Sequence, residues 1–145
     1  MSDDELGYPD GVYQYIHKMY YLHSLNIYTA MHYGHKRSAL LGILLTWSSF
    51  NYWKYPLLKS TRRKIDIIVA NFVVSYHIYL SFFTTNKLLC TSPILFGSMM
   101  YPVSIVFYNK QKYKMGAFCH CLLHICSMIG ACFTYRDYYL QNIKH

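Results

Sequence analysis

Charge is what this sequence has least of. Only 14% of its 145 residues are Asp, Glu, Lys or Arg, against about 25% in an ordinary soluble domain. Acid is scarcer still, because Asp66 is the single acidic residue between Asp10 and Asp137. The stretch Leu88–Asn109 carries no charge at all. A soluble helical bundle needs a polar face on each of its helices, so that stretch argues against one. Internal repeats and low-complexity tracts are also missing. The five cysteines are an odd number and lie in apolar segments, which excludes the disulfide framework of a small secreted domain. They read as small buried hydrophobes. The first residues, MSDDELGYPDG, are acidic where a signal peptide is basic, so insertion is expected to rely on internal segments.

What is present is apolar and aromatic. Hydrophobic residues make up 54% of the chain, with 17 tyrosines and 8 histidines among the whole. Mean hydropathy is only +0.10, but tyrosine lowers that average without opposing insertion, since ring-bearing polar residues suit membrane interfaces. Segment length is the better guide. The spacing predicts an all-α, polytopic membrane bundle with four transmembrane helices, at about residues 38–58, 65–86, 88–109 and 115–135. Residues 1–11 form a polar N-terminus and residues 12–145 one membrane domain. The first span is short, since only Ser38–Trp53 is free of Lys and Arg, and Lys54 must snorkel to the interface. Residues 12–33 are too polar for a comfortable span. Val12, Tyr15, Ile16, Met19 and Leu22 recur at helical spacing, which predicts an amphipathic helix on the membrane surface, with a fifth span as the competing reading.

The net charge of +8 is concentrated beside the apolar runs, at Lys54, Lys59, Arg62, Arg63 and Lys64, then at Lys110, Lys112 and Lys114. With no nucleic-acid motif alongside, this placement suits phosphate headgroups and cytoplasmic retention, not nucleic acid. The loops holding Lys59–Lys64 and Lys110–Lys112 are expected on one side of the membrane, with the turn near Lys87 and both termini on the other. Tyr52, Trp53 and Tyr55 around Lys54 read as an interfacial aromatic belt. The expected partners are the lipid bilayer and other transmembrane helices, in homo- or hetero-oligomers.

Three polar stripes need an explanation. They run Gly42, Thr46, Ser49, Trp53 in the first span; Asp66, Ala70, Val73, His77 in the second; and His120, His124, Ser127, Ala131 in the fourth. Each mixes small and polar residues, as helix contacts in lipid do. Topology places Ser49, Asp66 and His120 in the same leaflet. His77 is about 16 Å deeper than Asp66 at 1.5 Å per residue. His120 and His124, at i and i+4, share one face and could hold zinc with His77 or Asp66 as a third ligand. The bland reading of Asp66 is a juxtamembrane ion pair with Arg62 and Arg63, four and three residues before it, and that reading is preferred.

A serine late in one span (Ser49), an aspartate starting the next (Asp66) and a terminal H-x-x-x-H (His120, His124) together resemble the CREST superfamily of membrane hydrolases and receptors, which includes alkaline ceramidases. The resemblance implies a seven-span fold and a histidine-held zinc, with Ser49 and Asp66 assisting amide hydrolysis. Where that family has a histidine shortly after the serine, this chain has Trp53, and His77 would have to substitute as metal ligand. Trp47–Asp66 with Tyr76–His77 also resembles small multi-pass proteins of large DNA viruses and protists, which implies a membrane location. The sequence thus supports a membrane protein acting by interaction or membrane shaping. The alternatives are a zinc-dependent hydrolase of lipid or amide substrates (metal His77, His120, His124; catalytic Ser49, Asp66) and a proton or ion pathway.

Overall fold

The structure is a computed structural model and describes residues 6–9 and 11–143. Most of the polar segment expected at 1–11 therefore lies outside the described residues. The described chain is all-α, with six helices: α1 Tyr13–His17, α2 Tyr20–His32, α3 Lys36–Trp53, α4 Thr61–Ser81, α5 Lys87–Asn109 and α6 Tyr113–Ile143. The residues joining α1 to α2 stay in the right-handed helical region, so the two form one bent rod. Left-handed Gly34 (φ 77°) then reverses the chain into α3, a conformation that costs glycine nothing.

Helix boundaries follow local chemistry. α4 begins four residues before the apolar run because the Ser60 hydroxyl accepts the Arg63 backbone N–H at 3.2 Å, a side-chain N-cap. α5 continues through Pro93 and Pro102. It pairs most closely with α6, through Gly97 and Gly130. A Cβ at Gly130 would lie 2.8 Å from the Cys90 carbonyl oxygen, and one at Gly97 would lie 2.9 Å from that of Leu123. The two backbones are held at a distance that only glycine allows.

Two helices, α5 and α6, are long and apolar enough to cross a membrane. Of the four expected spans these two meet that measure; α3 and α4 fall short of it because each starts with basic residues and carries several polar ones. Of the two readings of residues 12–33, the structure overturns the amphipathic helix on the surface. α2 does not present one apolar and one polar face. It is built into the bundle against α3 and α6 and buries His23 and Ala30.

This rod also moves the start of the chain. Because α1–α2 runs antiparallel to α3, the segment before it meets the basic loops and not the opposite end. Leu6 bridges Leu57, the Gly7 N–H donates to the Pro56 carbonyl at 2.7 Å, and Tyr8 packs against Trp53 and Tyr108. Burial pushes the Tyr8 phenol up to about 12.

The opposite end is closed by Asp137 of α6. Its Oδ2 accepts the backbone N–H of Thr85 at 2.6 Å and of Asn86 at 3.1 Å, and its Oδ1 accepts Asn86 Nδ2 at 2.8 Å. Partial burial pushes this carboxyl up. The hydrogen bonds from Asn86, Thr85 and Gln141 outweigh that and hold it below the usual carboxylate range. A depressed folded value favours the folded state above the ordinary pKa of Asp, and the benefit is lost as pH falls through the folded value. Asp137→Ala is therefore expected to cost about 1 kcal/mol at neutral pH, small because the site is exposed. Thermal unfolding in detergent should show wild type and variant converging as the pH drops below about 4.

Candidate functional site

The inward faces of α3, α4 and α6 carry the three stripes read from the sequence, and they bring Ser49, Asp66 and His120 together. Asp66 is buried, at 7% exposure. Its Oδ1 accepts the Ser49 hydroxyl at 2.7 Å. It also lies 3.0 Å from the Ser48 hydroxyl, whose single proton is shared with the Leu45 carbonyl. The Trp53 side chain, whose one polar hydrogen is its indole N–H, adds a further hydrogen bond.

The expected ion pair is thus overturned. Arg62 donates to the Asn51 carbonyl in the last turn of α3 and Arg63 to the Leu58 carbonyl in the loop after it, so both guanidinium groups serve backbone near the bundle's end. Asp66, a turn further in, is met by short hydroxyls on the facing helix. The aromatic belt is corrected for the same reason. Tyr52 and Trp53 are core residues, each 5% exposed, and of the three only Tyr55 faces outward. The indole of Trp53 has a partner inside.

His120 is buried between the rings of Trp53 and Tyr101, at centroid distances of 4.8 and 5.9 Å. Two clefts meet at it. One, of about 160 Å³, opens toward the basic loops between Tyr8, Arg63 and Tyr108. The other, of about 170 Å³, lies between α4 and α5 and is lined by Ser49, Asp66, His120 and His124 together. All four residues that carry the resemblance to membrane hydrolases therefore border one cleft.

The proposed metal ligands are not assembled. The His77 Nδ1 lies 2.8 Å from the Val73 carbonyl, so it carries the proton and donates. That leaves Nε2 to accept from the Tyr135 hydroxyl. Both nitrogens are occupied, and His77 is absent from the cleft that holds Asp66. His124 Nδ1 is engaged by His23 Nε2 at 3.1 Å. Where a third ligand would be needed beside His120, Trp53 offers a donor and no lone pair. Among the described residues no group of three His, Cys, Asp or Glu side chains is arranged to hold a metal ion. The described side chains as placed do not form a zinc site.

Sequence reasoning missed His23, Asn26 and Tyr135. His23, Asn26, Ile27 and Ala30 recur at helical spacing on α2, the same mixture of polar and small residues as in the other stripes. That signal was visible in a segment expected to lie outside the bundle. All five cysteines are free thiols, two of them buried and three half-buried. No protein-family model, curated protein or solved structure matches the chain.

Proposed function

We propose that this chain is a multi-pass integral membrane protein in which α3, α4, α5 and α6 cross the bilayer and α1–α2 makes a bent fifth crossing. We also propose that it acts through small polar species admitted to the interior at Asp66 and His120. The observation carrying this reading is an inverted distribution of polarity. Leu40, Ile68, Phe72, Leu88 and Met99 are all more than half exposed, whereas Ser38, Ser48, Asp66, His77, Ser104 and Thr134 are buried. Water would favour the reverse arrangement, and hydrocarbon favours this one.

α3 and α4 are too polar on average to pass as spans, yet Ser38, Ser48, Ser49, Asp66 and His77 on them are buried inside. Several of the others bond back to their own helix: Thr46 to the Gly42 carbonyl, Asn51 to that of Trp47 and Asn71 to that of Ile67. This satisfies them without water. The bent rod of α1–α2, residues 13–32, rises about 30 Å at 1.5 Å per residue, the thickness of a hydrocarbon core.

A role limited to shaping a membrane needs no interior carboxylate, a group that is costly to bury in a span. The cluster at Asp66 is better explained by use. A hydrolase reading has the shared cleft of Ser49, Asp66, His120 and His124 in its favour, but no group of three metal-ligating side chains is assembled among the described residues.

Labelling with a membrane-impermeant maleimide in sealed vesicles tests the crossings. Lys110→Cys should react from one side, and Lys36→Cys and Lys87→Cys from the other. The native thiols, buried or half-buried in the spans, should stay silent. An N-terminal epitope tag is expected on the Lys110 side. Release of the protein by alkaline carbonate, or labelling of all three sites from one side, would defeat the reading. A tag on the Lys87 side would remove the fifth crossing alone.

A further inference from the structure

A series of proton-carrying side chains, linked by ring contacts, hydrogen bonds and one cavity, runs the length of the bundle. It starts at Asp66 and His120, beside the cleft that opens to the basic loops. His120 and His124, one turn apart on α6, have ring centroids 5.1 Å apart. His124 is hydrogen-bonded to His23 of α2.

Beyond this pair lies a cavity of about 60 Å³ between α2, α4 and α6, walled by His23, Asn26, His77, His124 and Ser127. Three buried polar atoms on that wall meet no protein partner: His23 Nδ1, Asn26 Oδ1 and Ser127 Oγ. Buried polar groups are nearly always hydrogen-bonded. Most of its wall is apolar, but the cavity has room for a few water molecules at about 10–15 Å³ each, and three unpartnered polar groups along one wall are what such water requires. On the far side, Tyr135 donates to His77, and Ser38 and Asn26 adjoin the Tyr135 side chain. The half-buried ring of His35 lies tilted against that of Tyr135, with centroids 5.0 Å apart.

Resting on the membrane reading above, we infer that the cavity holds ordered water and that these groups conduct protons, from Asp66 and His120 through His124, His23 and the cavity to Tyr135, His77 and His35. The separation suits a membrane, since His120 and Tyr135, fifteen residues apart on α6, are offset by about 22 Å of a hydrocarbon core about 30 Å thick.

Each step conserves protons. An imidazole takes one at one nitrogen and gives up the proton on its other nitrogen, so His120, His124 and His23 each return to neutral. Water beside Asn26 and His77, the two cavity-lining residues that hydrogen-bond the Tyr135 side chain, passes a proton to the Tyr135 oxygen as Tyr135 gives its own to His77 Nε2. The imidazolium so formed keeps its Nδ1–H on Val73. It then returns the Nε2 proton to Tyr135 while the other phenolic proton leaves toward Ser38 and His35. One positive charge crosses per proton, so sustained flux needs a counter-ion path.

The test uses the full chain in phosphatidylcholine–phosphatidylglycerol vesicles containing a pH-sensitive dye, with potassium and valinomycin supplying the counter-flow. After an external pH step, wild-type vesicles are expected to acidify at least tenfold faster than protein-free vesicles. His124→Gln and His77→Gln, which keep hydrogen-bonding side chains, are expected to lose most of the increment. His32→Gln, at an exposed position, is expected to keep it. Co-flotation of protein with lipid and resistance to carbonate are measured on the same samples. Integral wild-type protein with no flux above protein-free vesicles overturns the conduction and leaves the membrane reading standing. Full flux in both His124→Gln and His77→Gln overturns the route. Protein that does not float with the lipid overturns both readings.

Discussion

Gly130→Leu is expected to unseat α5 from α6 and cost the bundle about 3 kcal/mol or more, the upper range for forcing volume into a packed interior. Even alanine is too large at this position. Its Cβ would stand 2.5 Å from Ile94 Cγ1, 2.8 Å from the Cys90 carbonyl oxygen and 3.2 Å from the Ile94 nitrogen. The side-chain carbon could move, but the two backbone atoms cannot without displacing α5 itself. Alanine raises intrinsic helix propensity by up to about 1 kcal/mol over glycine, so a solvent-exposed glycine would gain from the change. Here the clash decides the sign.

Gly42 supplies the control, because a Cβ there meets only the Ile27 side chain, at 2.8 Å from Cγ1, and a rotamer shift can relieve it. Gly42→Ala should cost clearly less than Gly130→Ala. Thermal unfolding in detergent gives the ranking, and far-UV circular dichroism should stay helical, since separated helices remain helices in an apolar phase. Equal stability of Gly130→Ala and wild type would mean that α5 and α6 are not in contact through this glycine.

Asp66→Ala is the second large effect, an expected loss of about 2–4 kcal/mol. Removing the carboxylate leaves the hydroxyls of Ser48 and Ser49 and the Trp53 indole without their shared acceptor. Each orphaned buried donor costs about 1–3 kcal/mol. The loss is below the plain sum because Ser48 already leans on the Leu45 carbonyl. Asp66→Asn should cost less, since the amide keeps one acceptor oxygen and sheds the burden of a buried charge. Arg63→Ala should cost little, because Arg63 bonds to the Leu58 carbonyl. The ranking of the three variants by unfolding temperature in detergent separates the buried cluster from a surface ion pair. If Arg63→Ala matched Asp66→Ala, the ion pair would be the correct account. Asp66→Ala with wild-type stability would show that the hydroxyls do not depend on the carboxylate.

Helical periodicity made the inward stripes legible, because residues three and four apart share a face whatever the surroundings. Gly42, Ser49, Asp66, His77 and His120 all point inward as that periodicity requires. Periodicity could not say which inward residue touches which. Arg62 and Arg63 are the nearest cations to Asp66 along the chain, yet the partners of Asp66 come from seventeen and eighteen residues away. His77 and His120 lie on facing stripes, but His77 pairs with Tyr135, fifty-eight residues distant. Average hydropathy misjudged α2 in the opposite sense, because a helix that buries its polar residues looks too polar to be inside anything.

The scarcity of charge and the placement of what charge there is come from the sequence alone. So do the all-helical class, the uncharged α5 and the basic loops, because all of these depend on composition and on local spacing along one chain. Tertiary structure alone decided that Asp66 belongs to two serines and a tryptophan instead of two arginines. It also decided that the segment before α3 joins the bundle, and that His23, Asn26 and Ser127 converge on one cavity. Those outcomes depend on which helix faces stand opposite one another, and helices remote in sequence settle that by competing for the same buried partners.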